Sequence, residues 1–110
     1  MGAYVETAHL DQVAGGRGTV VTVGDCAVAL FNVDGRMFAV EDTCVRCGSS
    51  LASGTLDGNE VTCPSCGWRY DVRTGCVMGV PALCIDTFKV EIVDSRVMVA
   101  TTATPCRRGS

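Results

Sequence analysis

Two short stretches, Cys44-Val45-Arg46-Cys47-Gly48 and Cys63-Pro64-Ser65-Cys66-Gly67, constrain what this chain can fold into more than anything else in it. Each has the form Cys-x-x-Cys-Gly, and fifteen residues lie between Cys47 and Cys63. In such a pair both thiols come from one tight turn, and the backbone N–H groups beyond the second Cys can point back at sulfur. That suits a four-sulfur tetrahedral site. Two such turns at this spacing close one site, so Cys44, Cys47, Cys63 and Cys66 are the expected metal ligands. Gly48 and Gly67 belong to the supporting shell, because each knuckle must turn sharply after its second Cys.

The residues around the pairs carry a more specific pattern. From Phe38 to Val80 the text reads FAVEDTCVRCGSSLASGTLDGNEVTCPSCGWRYDVRTGCVMGV. It resembles the cluster-binding region of Rieske-type ferredoxins: Cys-x-His-x-Gly-x-x-Leu, then Gly-x-Leu-x-Gly, then Cys-Pro-x-His-Gly, an aromatic residue, Asp and a Thr-Gly turn. Cys44, Gly48, Leu51, Gly54, Leu56, Gly58, Cys63, Pro64, Gly67, Tyr70, Asp71, Thr74 and Gly75 fall in register. The departure lies in the ligands. Arg46 and Cys66 stand where that family has its two histidines, and Cys47 brings the cysteine count back to four. The chain's single histidine, His9, lies far upstream in an expected first strand. A Rieske centre needs two histidines on one iron, so the knuckles resemble those of rubredoxin, in a Rieske-like frame. Three occupants remain open: one iron held by four cysteines, one zinc, or a [2Fe–2S] cluster with four thiolates. A single ion is favoured, because each short pair naturally bites one metal.

The resemblance implies an all-β fold, a Rieske-like antiparallel β-sandwich with an inserted metal-binding subdomain. At 110 residues the chain can bury one modest core. Many Val and Gly residues, few aromatics and no long 3.6-period apolar pattern agree with β structure and tight turns. The expected domain covers 1–103, with the insertion over about 42–75 and a loose tail over 104–110. Strands are expected at Tyr4–Ala8, Thr19–Val23, Ala27–Asn32 and Met37–Val40 before the insertion. A turn is expected at Ala14–Gly18 and a hairpin at Asp34-Gly35. After it, Val80–Leu83 reads as a connecting loop, and Phe88–Val93 pairs with Val97–Ala100 through Asp94-Ser95.

Net charge is −3 with no basic stripe, which argues against nucleic acid. No apolar run is long enough to span a bilayer, and MGAYVETAHLDQV has neither a basic n-region nor an apolar h-region. Glu6 occupies the position where myristoylation of Gly2 would want Ser or Thr. The expectation is a soluble, cytoplasmic protein. In that compartment the other cysteines read as incidental or packing thiols: Cys26 and Cys84 in apolar stretches, Cys106 exposed in the tail, Cys76 beside the presumed site.

Ser49 and Ser65 occupy the positions where Rieske proteins of respiratory complexes carry a loop-linking disulfide, so the chain resembles the ferredoxin branch. Three side chains near the pairs have two readings each. Tyr70 donates to a cysteine sulfur or packs the base of the loop. Arg46 offsets thiolate charge or is a solvated loop tip, and Trp68 is a packing or partner-contact residue. By resemblance the function is that of a small electron carrier, not an enzyme, serving an oxygenase or reductase. The alternative is a non-redox accessory or binding module in which zinc fixes the loops.

Overall fold

The computed structural model of the chain describes residues 4–13 and 18–101, with Pro81 and Ala82 described by backbone only. The expected turn at 14–18, apart from Gly18, lies outside the described residues, as do Cys106 and the tail. Among the described residues twelve strands fall into three antiparallel sheets, and no segment is α-helical. No helix among the described residues is long and apolar enough to cross a membrane.

The middle layer is built mainly from three consecutive strands. Strands β2 (Gly18–Val23), β3 (Cys26–Val33) and β4 (Arg36–Glu41) pair in sequence. Asp34 and Gly35 join the last two with φ of 52° and 88°, the left-handed pair a two-residue hairpin of right-twisted strands requires. Val28, Ala29, Leu30 and Phe31 are all fully buried, although they alternate across β3. The reason is that both faces of this sheet are covered. Val28 and Leu30 face one core with Val97 and Val99, while Ala29 and Phe31 face a second core with Leu51, Leu56, Val61 and Tyr70. Burying side chains as large as Leu30 and Phe31 contributes about 1.5–3 kcal/mol each.

The first core is closed by a three-stranded sheet, β1 (Tyr4–His9), β12 (Arg96–Ala100) and β11 (Val90–Val93), in the order β1-β12-β11. Asp94 and Ser95, at φ of 52° and 64°, turn the hairpin as expected. Phe88–Val93 is not one strand, however. Thr87–Phe88 forms β10 and pairs with β4, whereas Val90 pairs with Val99 in the other sheet. The chain changes sheets at Lys89, a corner that local alternation does not reveal.

The second core is closed by β5 (Thr55–Asp57), β6 (Glu60–Thr62), β7 (Arg69–Asp71), β8 (Cys76–Val77) and β9 (Val80–Cys84), paired in chain order. Here the reading of Val80–Leu83 as a connecting loop is corrected: it is a strand, with Cys76 opposite Cys84 and Val77 opposite Val80. Pro81 suggested a loop, but β9 is an edge strand, where a missing N–H is tolerated.

Candidate metal centre

Knuckle one leaves the end of β4, and knuckle two connects β6 to β7. Both are closed by the same two backbone bonds. Gly48 N–H donates to Cys44 O at 2.9 Å and Gly67 N–H to Cys63 O at 3.1 Å. Cys44 N–H donates to Ser49 O at 2.9 Å and Cys63 N–H to Trp68 O at 2.7 Å. Completing either turn takes the chain through the left-handed region, at φ +78° for Gly48 and +79° for Gly67. An L side chain there is strained. The glycine after each Cys pair is thus a backbone requirement.

The turns bring the four sulfurs together. All lie within 4.8 Å of one another, with Cys44 to Cys66 at 3.7 Å and Cys47 to Cys63 at 3.5 Å. A metal–sulfur bond of about 2.3 Å implies a tetrahedral sulfur–sulfur edge of about 3.8 Å. One ion fits this spacing. A binuclear cluster hangs its two ligand pairs on separate metals and needs the pairs further apart. Cys44 and Cys63 are buried in the second core, Cys66 is half-buried, and Cys47 reaches solvent.

The thiols are not equivalent. Ser49, through its hydroxyl and then its backbone, lowers Cys47 from 9.0 to about 6. At Cys66 the Trp68 backbone hydrogen bond works downward, but burial and the three neighbouring sulfurs outweigh it and push the thiol up to about 12. Burial acts upward on Cys44, yet hydrogen bonds from Tyr70 and from the backbone at Cys47 and Arg46 leave it lowered. Four sulfurs in one cage do not all ionise unless a cation joins them.

Tyr70, in the middle of β7 and 1% exposed, sits under knuckle one. Val45 N–H donates to its hydroxyl oxygen at 2.9 Å, and the same hydroxyl lies 3.1 Å from Cys44 Sγ, where its proton is available to a thiolate. Burial first, and then the Cys44 contact, raise the Tyr70 pKa, so the phenol keeps its proton. Tyr70 therefore packs the loop base and stands within hydrogen-bond distance of Cys44 Sγ.

Two contacts join the knuckles at the tip. Ser49 donates to Ser65 at 2.6 Å, and the Arg46 guanidinium lies 5.1 Å from the centroid of Trp68. Exposed Arg46 thus lies over the Trp68 ring, and half-buried Trp68 also packs on the second core. Asp42, the one buried acid among the described residues, went unnoticed in the sequence. Its carboxylate accepts Ser50 Oγ–H at 2.7 Å and Ala52 N–H at 2.8 Å, fixing the chain just after knuckle one. An acid two residues before the first Cys was the available signal.

Among the described residues, the remaining cysteines stand apart from this group. His9 closes β1 in the other outer sheet and is not part of the cluster. Cys26 was expected to pack but is exposed, because it opens β3 straight after the Gly24-Asp25 turn. Cys84 is disulfide-bonded, not the free packing thiol expected. Cys76 is half-buried and free, with its backbone N–H on Thr74 Oγ1.

Residues 3–89 match the Rieske [2Fe–2S] domain. A ferredoxin component of naphthalene 1,2-dioxygenase/salicylate 5-hydroxylase systems from Ralstonia sp. is 32% identical over 97 residues, covering 87% of this chain and 93% of its own. Among solved structures, a ferredoxin of Sphingomonas yanoikuyae B1 superposes with a TM-score of 0.82 at 28% identity, covering 89% and 98% of the two chains. A complex of reduced oxygenase and oxidised ferredoxin in carbazole 1,9a-dioxygenase contains a chain with TM-score 0.84 at 29% identity, covering 93% and 96%.

Proposed function

The chain belongs to the Rieske [2Fe–2S] domain family, and we propose that it is the ferredoxin of a dioxygenase-type system, taking single electrons from a reductase and passing them to a terminal oxygenase. The relatives that support this reading are themselves ferredoxin components of such systems, matched over nearly their whole length. A carrier rather than a catalyst also suits the site, since four thiolates leave no open coordination position.

The family's usual ligand set does not fit this chain. A Rieske cluster takes two histidines on one iron, and the only histidine, His9, lies in a different sheet from the knuckles. The residues present fit a single ion held by Cys44, Cys47, Cys63 and Cys66, and we assign it as iron. The mutual approach of all four sulfurs to within 4.8 Å carries the single-ion site, and the choice of iron over zinc rests on the electron-carrying relatives. Iron in such a set supplies a one-electron couple.

The chain's own residues do the rest. Cys44 and Cys63 seat the site in the core, Tyr70 holds its proton against Cys44 Sγ, and Gly48 and Gly67 let the loops close. Exposed Cys47 and the surface of Val45, Arg46, Ser65 and Trp68 let a partner approach the sulfurs directly. Redox encounters of this kind bury less than ~1,200 Å² and dissociate quickly.

The test is to load the protein with iron, reduce it, and mix it with an oxidised terminal oxygenase of the dioxygenase class in a stopped-flow spectrometer. Iron–thiolate absorption, bleached by the reduction, is expected to return at a rate set by oxygenase concentration. Protein from its native source that is colourless and carries zinc would instead favour the accessory-module reading.

A further inference from the structure

We propose that Ser49 and Ser65 act together as a hydroxyl relay that places a hydrogen bond on Cys47 Sγ and raises the reduction potential of the site from its exposed side. This inference rests on the iron reading above and assigns a role to two side chains that the ligand set does not use.

The geometry is a chain of three atoms across the two knuckles. Ser49 Oγ lies 3.4 Å from Cys47 Sγ and 2.6 Å from Ser65 Oγ. With Cys47 as a thiol, its S–H donates to Ser49 and Ser49 donates to Ser65. A metal-bound thiolate has no proton and can only accept. The order must then reverse: Ser49 turns its hydroxyl to sulfur, and Ser65 donates to the Ser49 oxygen it releases. Each hydroxyl has one proton and two lone pairs, so both arrangements satisfy the pair without moving a heavy atom. Ser65 has a further effect. A hydroxyl that receives a hydrogen bond is polarised and donates more strongly.

The sign follows from charge. Reduction takes one electron from the donor and leaves it on the iron–thiolate unit, and no bond to hydrogen is made or broken. The hydroxyl protons stay on their oxygens. The sulfurs become more negative, so a bond donated to Cys47 is stronger in the reduced state than in the oxidised one. Removing the donor therefore shifts the potential downward. Because both serines are reached by water, which can replace part of the lost bond, the shift should be smaller than that from losing buried Tyr70.

A relay differs from two independent contacts in how the effects combine. Ser49→Ala removes the one hydroxyl of the pair that reaches Cys47 Sγ, so it gives the relay's full downward shift. Ser65→Ala leaves Ser49 in place but unpolarised, giving a smaller shift in the same direction. The double variant should match Ser49→Ala alone, since nothing remains for Ser65 to act through. Ser49→Thr keeps the hydroxyl and should restore most of the wild-type potential.

The experiment is spectroelectrochemical titration of the iron-loaded full chain and these four variants, with the iron–thiolate spectrum recorded for each. The graded, non-additive downward shifts with Thr rescue are expected. A Ser49→Ala protein with an unchanged spectrum and an unchanged potential overturns the proposal, as do serine shifts that simply add. Wild-type protein that develops no iron–thiolate absorption overturns the iron reading itself, and this inference falls with it.

Discussion

Replacing Tyr70 with Phe removes one oxygen and little else. The ring is 1% exposed and packs in the second core, and Phe keeps that packing. Two hydrogen bonds are lost: the one donated to Cys44 Sγ at 3.1 Å and the one received from Val45 N–H at 2.9 Å. A hydrogen bond to a charged acceptor is worth about 1.5–3 kcal/mol. If about half of that is felt only in the more negative, reduced state, the difference between the states is about 0.7–1.5 kcal/mol. A tenfold change in a one-electron equilibrium is about 59 mV and about 1.4 kcal/mol. The reduction potential should therefore fall by roughly 30–65 mV. The Val45 N–H, partly buried and left without its acceptor, should cost about 1–3 kcal/mol of stability as well. Redox titration followed by visible absorption reads the first effect, and denaturant unfolding of the same samples reads the second. An unchanged or raised potential in a folded, iron-loaded Tyr70→Phe protein would refute the orientation deduced for the phenol proton.

Three other outcomes follow from the geometry. Cys47→Ser should lower metal affinity by at least about tenfold, while Cys26→Ser and Cys76→Ser should leave metal content unchanged by elemental analysis. Retained metal in the first, or loss in either of the others, would mean that the ligand set is misassigned. Folded Cys47, lowered from 9.0 to about 6, is a thiolate through the neutral range, so metal uptake there need not displace its proton. Below about pH 6 it must, and the slope of log affinity against pH should steepen by about one proton, measurable by competition with a chromophoric chelator. A constant slope across that pH would argue against the lowered thiol. Asp42→Asn can accept only one of the two hydrogen bonds made by the carboxylate, and should cost about 1–3 kcal/mol in denaturant unfolding. Unchanged unfolding would show that Asp42 does not hold the loop.

Much of this was legible because the decisive signals are local. A Cys-x-x-Cys-Gly turn specifies its own closure, and Asp34-Gly35 and Asp94-Ser95 specify hairpins, since in each case a few consecutive residues must adopt one backbone path. The register of Leu51, Leu56, Pro64, Tyr70 and Asp71 pointed to the frame for the same reason. What escaped depends on residues far apart in the chain. The switch of sheets at Lys89 is decided by the partners of Phe88 and Val90, Ala39 and Val99. Val80–Cys84 becomes a strand only because β8 is there to pair with it. At the site, the Ser49–Ser65 and Arg46–Trp68 contacts join opposite knuckles, so neither stretch of sequence contains them. The exposure of Cys26 similarly reflects where β3 begins relative to the core rather than the apolar residues that follow it.

On the reading proposed above, a Rieske frame here holds one iron on four cysteines instead of a histidine-ligated pair. The most direct test is the joint determination of iron, zinc and acid-labile sulfide in protein purified from its native source. One iron per chain and no sulfide is the expected result. Two irons with two sulfides would contradict it, and would require the four sulfurs to spread well beyond the 4.8 Å within which they now lie.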